Sequence, residues 1–324
     1  MLNKPTHLAA PLLEPTTQAF IDGLAGATPI STLSVEEART VLAGAAKSPG
    51  VRIPDATIKD LALPVGPAGM TNVRVIRPVG ADGALPAIIY MHGGGWVLGD
   101  RETHDRLVRE LAVGANAALV FVDYDRAPES RFPMAIEQGY AVARYVADNA
   151  SKLKVDAGRM VIAGDSVGGN MATVIALMSR ERKGPKFEAQ VLLYPVTDAS
   201  MTTDSYEDFA NGPWLTKMSM AWFWDQYLPT KSTRSDIHAS PLNASAGDLA
   251  DLPPTLLIVD ENDVLRDEGE AYGRKLAQAG VRVTSVRYNG TVHDFMMLNP
   301  LATTPAVRGA VGQTIGYLRH VFAA

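Results

Sequence analysis

The chain contains no cysteine. Disulfides, thiolate metal sites and a cysteine nucleophile are therefore excluded. It has no apolar run of the roughly 18 residues that a membrane-spanning helix needs. Basic residues are not in excess: 30 Lys and Arg stand against 35 Asp and Glu, for a net charge of −5. That balance leaves no electrostatic footprint for nucleic acid. The first 15 residues carry prolines and a glutamate where a signal peptide has an apolar core, so a cytoplasmic protein is expected. Neither an internal repeat nor a low-complexity tract occurs. What remains is a chain of 324 residues, 47% apolar and 20% charged, with enough length to bury a substantial core.

Residues 1–50 read as helical and separate from the rest of the chain. Gln18–Leu24 and Val35–Ala46 are short amphipathic segments parted by Thr28-Pro29, and Ser34 with Glu37 forms a capping box. From residue 57 the period changes. Thr57–Leu63 and Asn72–Arg77 alternate across a Gly-Pro-Ala-Gly turn, which predicts antiparallel strands. Ala87–Met91, Ala118–Val122, Met160–Ala163, Gln190–Tyr194, Thr255–Val259 and Arg282–Arg287 are short strand-forming runs, mostly continuous and apolar. Helical segments near 103–113, 134–149, 169–180 and 267–279 fall between them. The expected fold class is α/β, one eight-stranded and mostly parallel sheet with helices on both faces. One stretch breaks the alternation. Residues 200–250 carry Trp214, Leu215, Trp222, Phe223, Trp224 and Tyr227, with Thr216 as an N-cap. An excursion of this length is expected to cover a site and supply an apolar pocket, with Trp96, Trp214, Leu215, Trp222 and Phe223 as its lining.

Gly164-Asp165-Ser166-Val167-Gly168-Gly169-Asn170 lies between a strand and a helix. This is the pattern of a nucleophile elbow, in which small residues two places either side of the serine relieve crowding. His92-Gly93-Gly94-Gly95-Trp96 follows a buried strand, and bare glycine amides there can converge on an oxyanion. The amide of Val167 supplies the matching donor, and such donors are worth about 2.7–4 kcal/mol each in acyl transfer. No Gly-Lys-Ser/Thr follows, so a phosphate loop of the usual form is excluded. The serine needs a base. His7 and His320 are expected to be exposed, His92 to brace the glycine loop, His104 to start the next helix and His238 to lie in the excursion. His293 follows the last strand and shares the sheet edge with Ser166. The acid is sought in Asp260-Glu261-Asn262-Asp263-Val264-Leu265-Arg266-Asp267-Glu268. Asp263 is preferred because it falls in the loop; Asp260 is the alternative, and Asp267 and Glu268 suit a first helical turn.

With these pieces placed, nearly the whole chain resembles the hormone-sensitive-lipase-like α/β-hydrolases, the bacterial family IV carboxylesterases. The glycine loop and elbow carry the resemblance. So do Tyr124-Asp125-Arg126-Ala127-Pro128-Glu129 and the stretch from Asp263 to Gly269, which are similar to the family's Tyr-Arg-Leu-Ala-Pro-Glu and Asp-Pro-Leu-Arg-Asp-Glu-Gly. It implies a Ser166–Asp263–His293 triad, with Gly94 and Gly95, more than Gly93, donating to the oxyanion. It further implies a two-part helical cap, residues 1–50 and 200–250, on a core of 51–199 and 251–324. The implied partner is a small ester with an acyl chain of about two to eight carbons, and no metal or cofactor is required. A homodimer through the last strand and helix is also implied.

Three positions depart from the family pattern. Val167 replaces alanine and is expected to narrow the pocket, Val264 replaces a proline, and Asp294 replaces a glycine beside His293. A second carboxylate there is expected to raise the histidine's pKa. Amidase, lactonase or deacetylase activity on the same triad stays open. So does a ligand-binding protein resembling the plant gibberellin receptors, although those lack the catalytic histidine and His293 is present here.

Overall fold

The apolar runs become eight strands of one sheet in the computed structural model, which describes residues 11–323. These are β1 (Ala56–Leu63), β2 (Thr71–Pro78), β3 (Leu85–Met91), β4 (Ala118–Asp123), β5 (Val155–Asp165), β6 (Ala189–Leu193), β7 (Thr255–Asn262) and β8 (Val283–Val292). Their spatial order is β1-β2-β4-β3-β5-β6-β7-β8. β1 and β2 pair antiparallel, β2 meets β4 antiparallel, and every later pairing is parallel.

Every residue of β3 is buried, the state that a continuous apolar run predicts for a central parallel strand. Ala87, Ile89 and Met91 enter one core and Ile88 and Tyr90 the other, as the two-residue period requires. Full burial of each Ile contributes roughly 1.5–3 kcal/mol. β5 is longer than its apolar run. Its first half, Asp156 to Arg159, is polar and at least partly exposed, and the ladder shifts register opposite Pro86 and Ala87. β8 reaches Val292, five residues beyond the expected end at Arg287; alternating exposed and half-buried residues on an edge strand hide its length.

The helices are α1 (Pro15–Asp22), α2 (Val35–Ala45), α3 (Asp105–Ala115), α4 (Met134–Asp148), α5 (Ala150–Leu153), α6 (Val167–Glu181), α7 (Asp204–Asp208), α8 (Lys217–Tyr227), α9 (Ala246–Leu249), α10 (Arg266–Gln278) and α11 (Pro305–Ala323). α3 and α11 pack together over one face of the sheet, while α4, α6 and α10 line the other. The capping box forms: Ser34 Oγ accepts from the Glu37 amide and Glu37 from the Ser34 amide. Thr216 caps α8. Among the described residues no helix is long and apolar enough to cross a membrane. His7 lies outside the described residues.

The two segments without a strand partner lean on each other. The Phe20 ring lies 5.4 Å from Trp214, and α8 packs on the turn Ile30–Thr32. Arg39 of α2 straps this assembly to the core. It donates to the carbonyls of Val97 and Ala127 and forms a two-pronged pair with Glu129. The excursion after β6 is not uniform. Its later part runs beside α6 and α10: Asn170 donates to the Ala239 carbonyl, Lys275 to Leu242, and Arg180 to Gly247 and Asp248. A helix of α6's length spans about 20 Å, so α9 lies near the end far from Ser166.

Candidate active site

The strands β3, β5, β6, β7 and β8 run parallel, so the loops after them share one edge. At the end of β5 the chain turns sharply. Ser166 sits at φ 56°, ψ −122° and α6 starts at the next residue. Such a backbone costs on the order of 1–3 kcal/mol and persists only when its surroundings hold it. Here the Ser166 amide donates to Leu193 and its carbonyl accepts from Asn170 and Val196. A Cβ on Gly164 would stand 2.3 Å from the Gly168 carbonyl oxygen, and one on Gly168 would stand 2.0 Å from that of Met91. The elbow therefore needs both glycines.

His293, just past β8, places Nε2 2.8 Å from Ser166 Oγ and Nδ1 2.7 Å from Asp263 Oδ2. The other Asp263 oxygen accepts from the Leu265 amide. In the neutral ring, with its Nδ1 proton given to Asp263, Nε2 is free to accept from the serine. Asp260, the alternative acid, stands farther off, at 4.0 Å from Nδ1. Burial opposes charging of His293, but Asp263 and Asp294 outweigh it and the pKa is pushed up to about 10. The acid loop lacks the family's proline, yet it is held: Ser205 Oγ donates to the Val264 carbonyl and the Ser205 amide to Asp267. Asp260, Asp263 and His293 are the one group of described side chains with ligand atoms close enough to share a cation, all within 4.8 Å. Nδ1 is already committed to Asp263.

The glycine loop faces the elbow. The Gly93 amide donates to Asp165, whereas those of Gly94, Gly95 and Val167 have no protein acceptor among the described residues. Gly94 and Gly95 adopt φ 105° and 64°, which glycine tolerates. The loop is fixed from beneath by residues whose roles the sequence does not advertise. Asp165 is fully buried and accepts from Tyr90 (2.7 Å), Gly93 (3.1 Å) and His104 (3.1 Å). Burial penalises its charge, but His104 overrides this and its pKa falls; that of His104 rises in turn, against its own desolvation. His92 is stacked between Phe121 and Tyr124 and bonds to the Gly93 carbonyl, the bracing role expected of it. Burial, with the nearby charge of His104, lowers its pKa to about 3, so it stays neutral.

Of the expected pocket residues, Trp214, Leu215 and Trp222 are half-buried, and Phe223 lies directly over Gly95. Trp96 differs. It is only 1% exposed, stacked on Tyr227 at 4.1 Å and against Trp224 at 4.5 Å, so its ring fastens α8 to the glycine loop rather than presenting a face to a ligand. Val167, the first residue of α6, has its side chain fully buried in the core cluster on that face of the sheet.

Asp294 is mostly buried at φ 64°, a conformation that explains the family's glycine. One of its oxygens accepts from Trp214 Nε1 at 3.1 Å, and the other lies 3.4 Å from His293 Nε2. The neutral imidazole is the form able to act as base, so activity should rise with pH through the His293 pKa. Asp294→Gly removes a carboxylate that favours the charged ring. The rising limb of its kcat/KM–pH profile is therefore expected at lower pH than in the parent. A limb at the same or higher pH would refute the coupling.

Residues 88–297 match the family model described as alpha/beta hydrolase fold. The chain is 35% identical over 323 residues to a carboxylesterase of Mycobacterium tuberculosis, covering 98% of this chain and 99% of that protein. It is 37% identical over 271 residues to an ethyl acetate hydrolase of Pseudomonas putida, 82% of each chain. A thermostable esterase from Pseudomonas putida superposes with a TM-score of 0.93 at 46% identity, over 97% of this chain and 99% of that one. The strand order, the elbow and the matched length agree, and the chain belongs to the alpha/beta hydrolase fold family.

Proposed function

We propose that this protein is a serine carboxylesterase acting on esters of short to medium acyl chain through an acyl-enzyme. The observation that carries the reading is the continuous contact from Ser166 through His293 to Asp263, at 2.8 and 2.7 Å. His293 takes the serine proton as Oγ attacks the ester carbonyl carbon. The amides of Gly94, Gly95 and Val167 receive the charge on the carbonyl oxygen. The carbon–oxygen bond to the alcohol breaks and His293 returns the proton to the leaving oxygen. Water then attacks the acyl carbon, again with His293 as base, releasing the acid and restoring Ser166. Asp263 holds the tautomer and stabilises the imidazolium. The kinship with carboxylesterases supports placing the chain in the hormone-sensitive-lipase-like branch.

Residues 1–50 and 200–250 are proposed as the two parts of a cap on the core of 51–199 and 251–324; the Phe20–Trp214 contact and the Arg39 strap support this division. Trp214, Leu215, Trp222 and Phe223 make its apolar lining, with Trp96 behind them. A cytoplasmic location and a homodimer through the β8 edge complete the proposal; β8 ends the sheet with exposed residues along its length.

A series of aryl esters from acetate to palmitate tests the reading. kcat/KM is expected to peak at about two to eight acyl carbons and to fall steeply for palmitate. A serine-directed phosphonate is expected to label Ser166. A preference for palmitate would overturn the acyl range, and failure to label would favour a receptor-like protein.

A further inference from the structure

Asp260 ends the straight part of β7, three residues before Asp263, and the acyl-transfer mechanism leaves it unused. Its side chain is fully buried, and neither carboxylate oxygen meets a hydrogen-bond partner among the described residues. Orphaned buried polar groups are rare enough in folded proteins to need a reason. The groups facing it are Asp263 from the loop after β7, His293 and Asp294 from the loop after β8, and Tyr194 from the end of β6. Of these only His293 can carry positive charge. Asp260 Oδ2 stands 4.0 Å from Nδ1 of His293, the nitrogen that Asp263 holds at 2.7 Å.

We propose that Asp260 is a second acid for His293, a reserve carboxyl behind Asp263 that ionises and takes over Nδ1 when Asp263 does not carry the negative charge. Two carboxyls this close to one ring do not both ionise readily. Asp263 is the one bonded to the imidazole, at 2.7 Å, so the second carboxyl, buried without a hydrogen-bond partner, is the one that stays neutral. Burial and the neighbouring Asp263 hold the Asp260 carboxyl well above its usual range, which keeps it neutral while Asp263 is in place. Closing the 4.0 Å gap to a hydrogen bond needs a shift of about 1 Å. Asp260 is a positioning residue, since it would reach the substrate only through His293. The proposal rests on the hydrolytic reading of Ser166 and His293.

The test compares the parent, Asp260→Ala, Asp263→Ala, the double variant and Ser166→Ala on a short-chain aryl ester. Alanine is used at 263 because an asparagine amide would donate to Nδ1 and fix the wrong tautomer. Asp260→Ala is expected to lose about threefold in kcat, and the double variant to fall at least about tenfold below Asp263→Ala. The far-downfield NMR line of an imidazole N–H bonded to a carboxylate should persist in Asp263→Ala and vanish in the double variant. That readout separates a bond to His293 from a general loss of packing. If Asp260→Ala folds poorly, Asp260→Leu, close to aspartate in size and without a donor for Nδ1, replaces it in both roles. Equal turnover of Asp263→Ala and the double variant, or loss of the downfield line already in Asp263→Ala, overturns the role of Asp260 alone. Turnover of Ser166→Ala within tenfold of the parent overturns the hydrolytic reading itself.

Discussion

Ser166→Ala is expected to lower kcat on a short-chain aryl ester by roughly 10⁴–10⁶-fold, with little change in KM. The substitution removes one oxygen and little else. Ser166 Oγ has His293 Nε2 as its only hydrogen-bond partner among the described residues, so no other contact is left unsatisfied. The backbone bonds that hold the elbow, to Leu193, Asn170 and Val196, do not involve the side chain. Alanine at φ 56° is about as strained as serine, and the unfolding midpoint should therefore hardly move. The three amides proposed to receive the oxyanion remain, which is why a residual rate above water is expected rather than none. The check is paired: steady-state kinetics with a denaturation curve, and phosphonate labelling, which should disappear. A variant within tenfold of the parent rate would refute Ser166 as nucleophile.

The central sheet is legible because it is buried on both faces. Ala87–Met91 and Thr255–Val259 read as strands since nothing polar interrupts them, and their ends match the structure to within three residues. Where strands leave the core, that signal goes. The first half of β5 is polar, and the second half of β8 alternates around Arg287 and Asn289, so both strands are longer than their apolar runs. The geometry of Ser166, Asp263 and His293 is legible for a different reason. Parallel strands bring their following loops to one edge, so order along the chain becomes nearness in space.

Contacts that join residues distant in sequence without a periodic pattern stay hidden. Nothing marks His104, Tyr90 and Gly93 as the partners of Asp165, because each belongs to a different loop or element and buried polar networks have no sequence period. Trp96 misleads in the same way. Its place beside the glycine loop suggests a pocket wall, whereas the aromatic side of α8 supplies Tyr227 and Trp224 to bury it. The division within 200–250 is likewise a tertiary fact, set by which carbonyls Arg180, Lys275 and Asn170 reach.

His293→Ala is expected to cost kcat about as much as Ser166→Ala, roughly 10⁴–10⁶-fold, and the double variant no more than either alone. Serine and base act as one unit: without an acceptor at 2.8 Å the hydroxyl keeps its proton and attacks no faster than an ordinary alcohol. Full additivity in the double variant would show that the two residues serve separate steps and would sink the proposed mechanism. Unlike the serine, the histidine is also expected to matter to the fold. Its removal leaves Asp263 buried without a cationic partner, and breaking a buried pair on one side costs about 3–5 kcal/mol. The sign with pH follows from the raised pKa. His293 titrates at about 10 in the folded chain against 6.5 for a free imidazole, so its charged form stabilises the fold fully below about pH 6.5. That contribution fades as pH climbs towards 10. The stability gap between parent and His293→Ala, read from urea midpoints, should therefore be widest in mild acid and shrink in alkali. A gap that widens with pH would mean that the buried ring is neutral in the resting protein and that the carboxylates around it do not govern its charge.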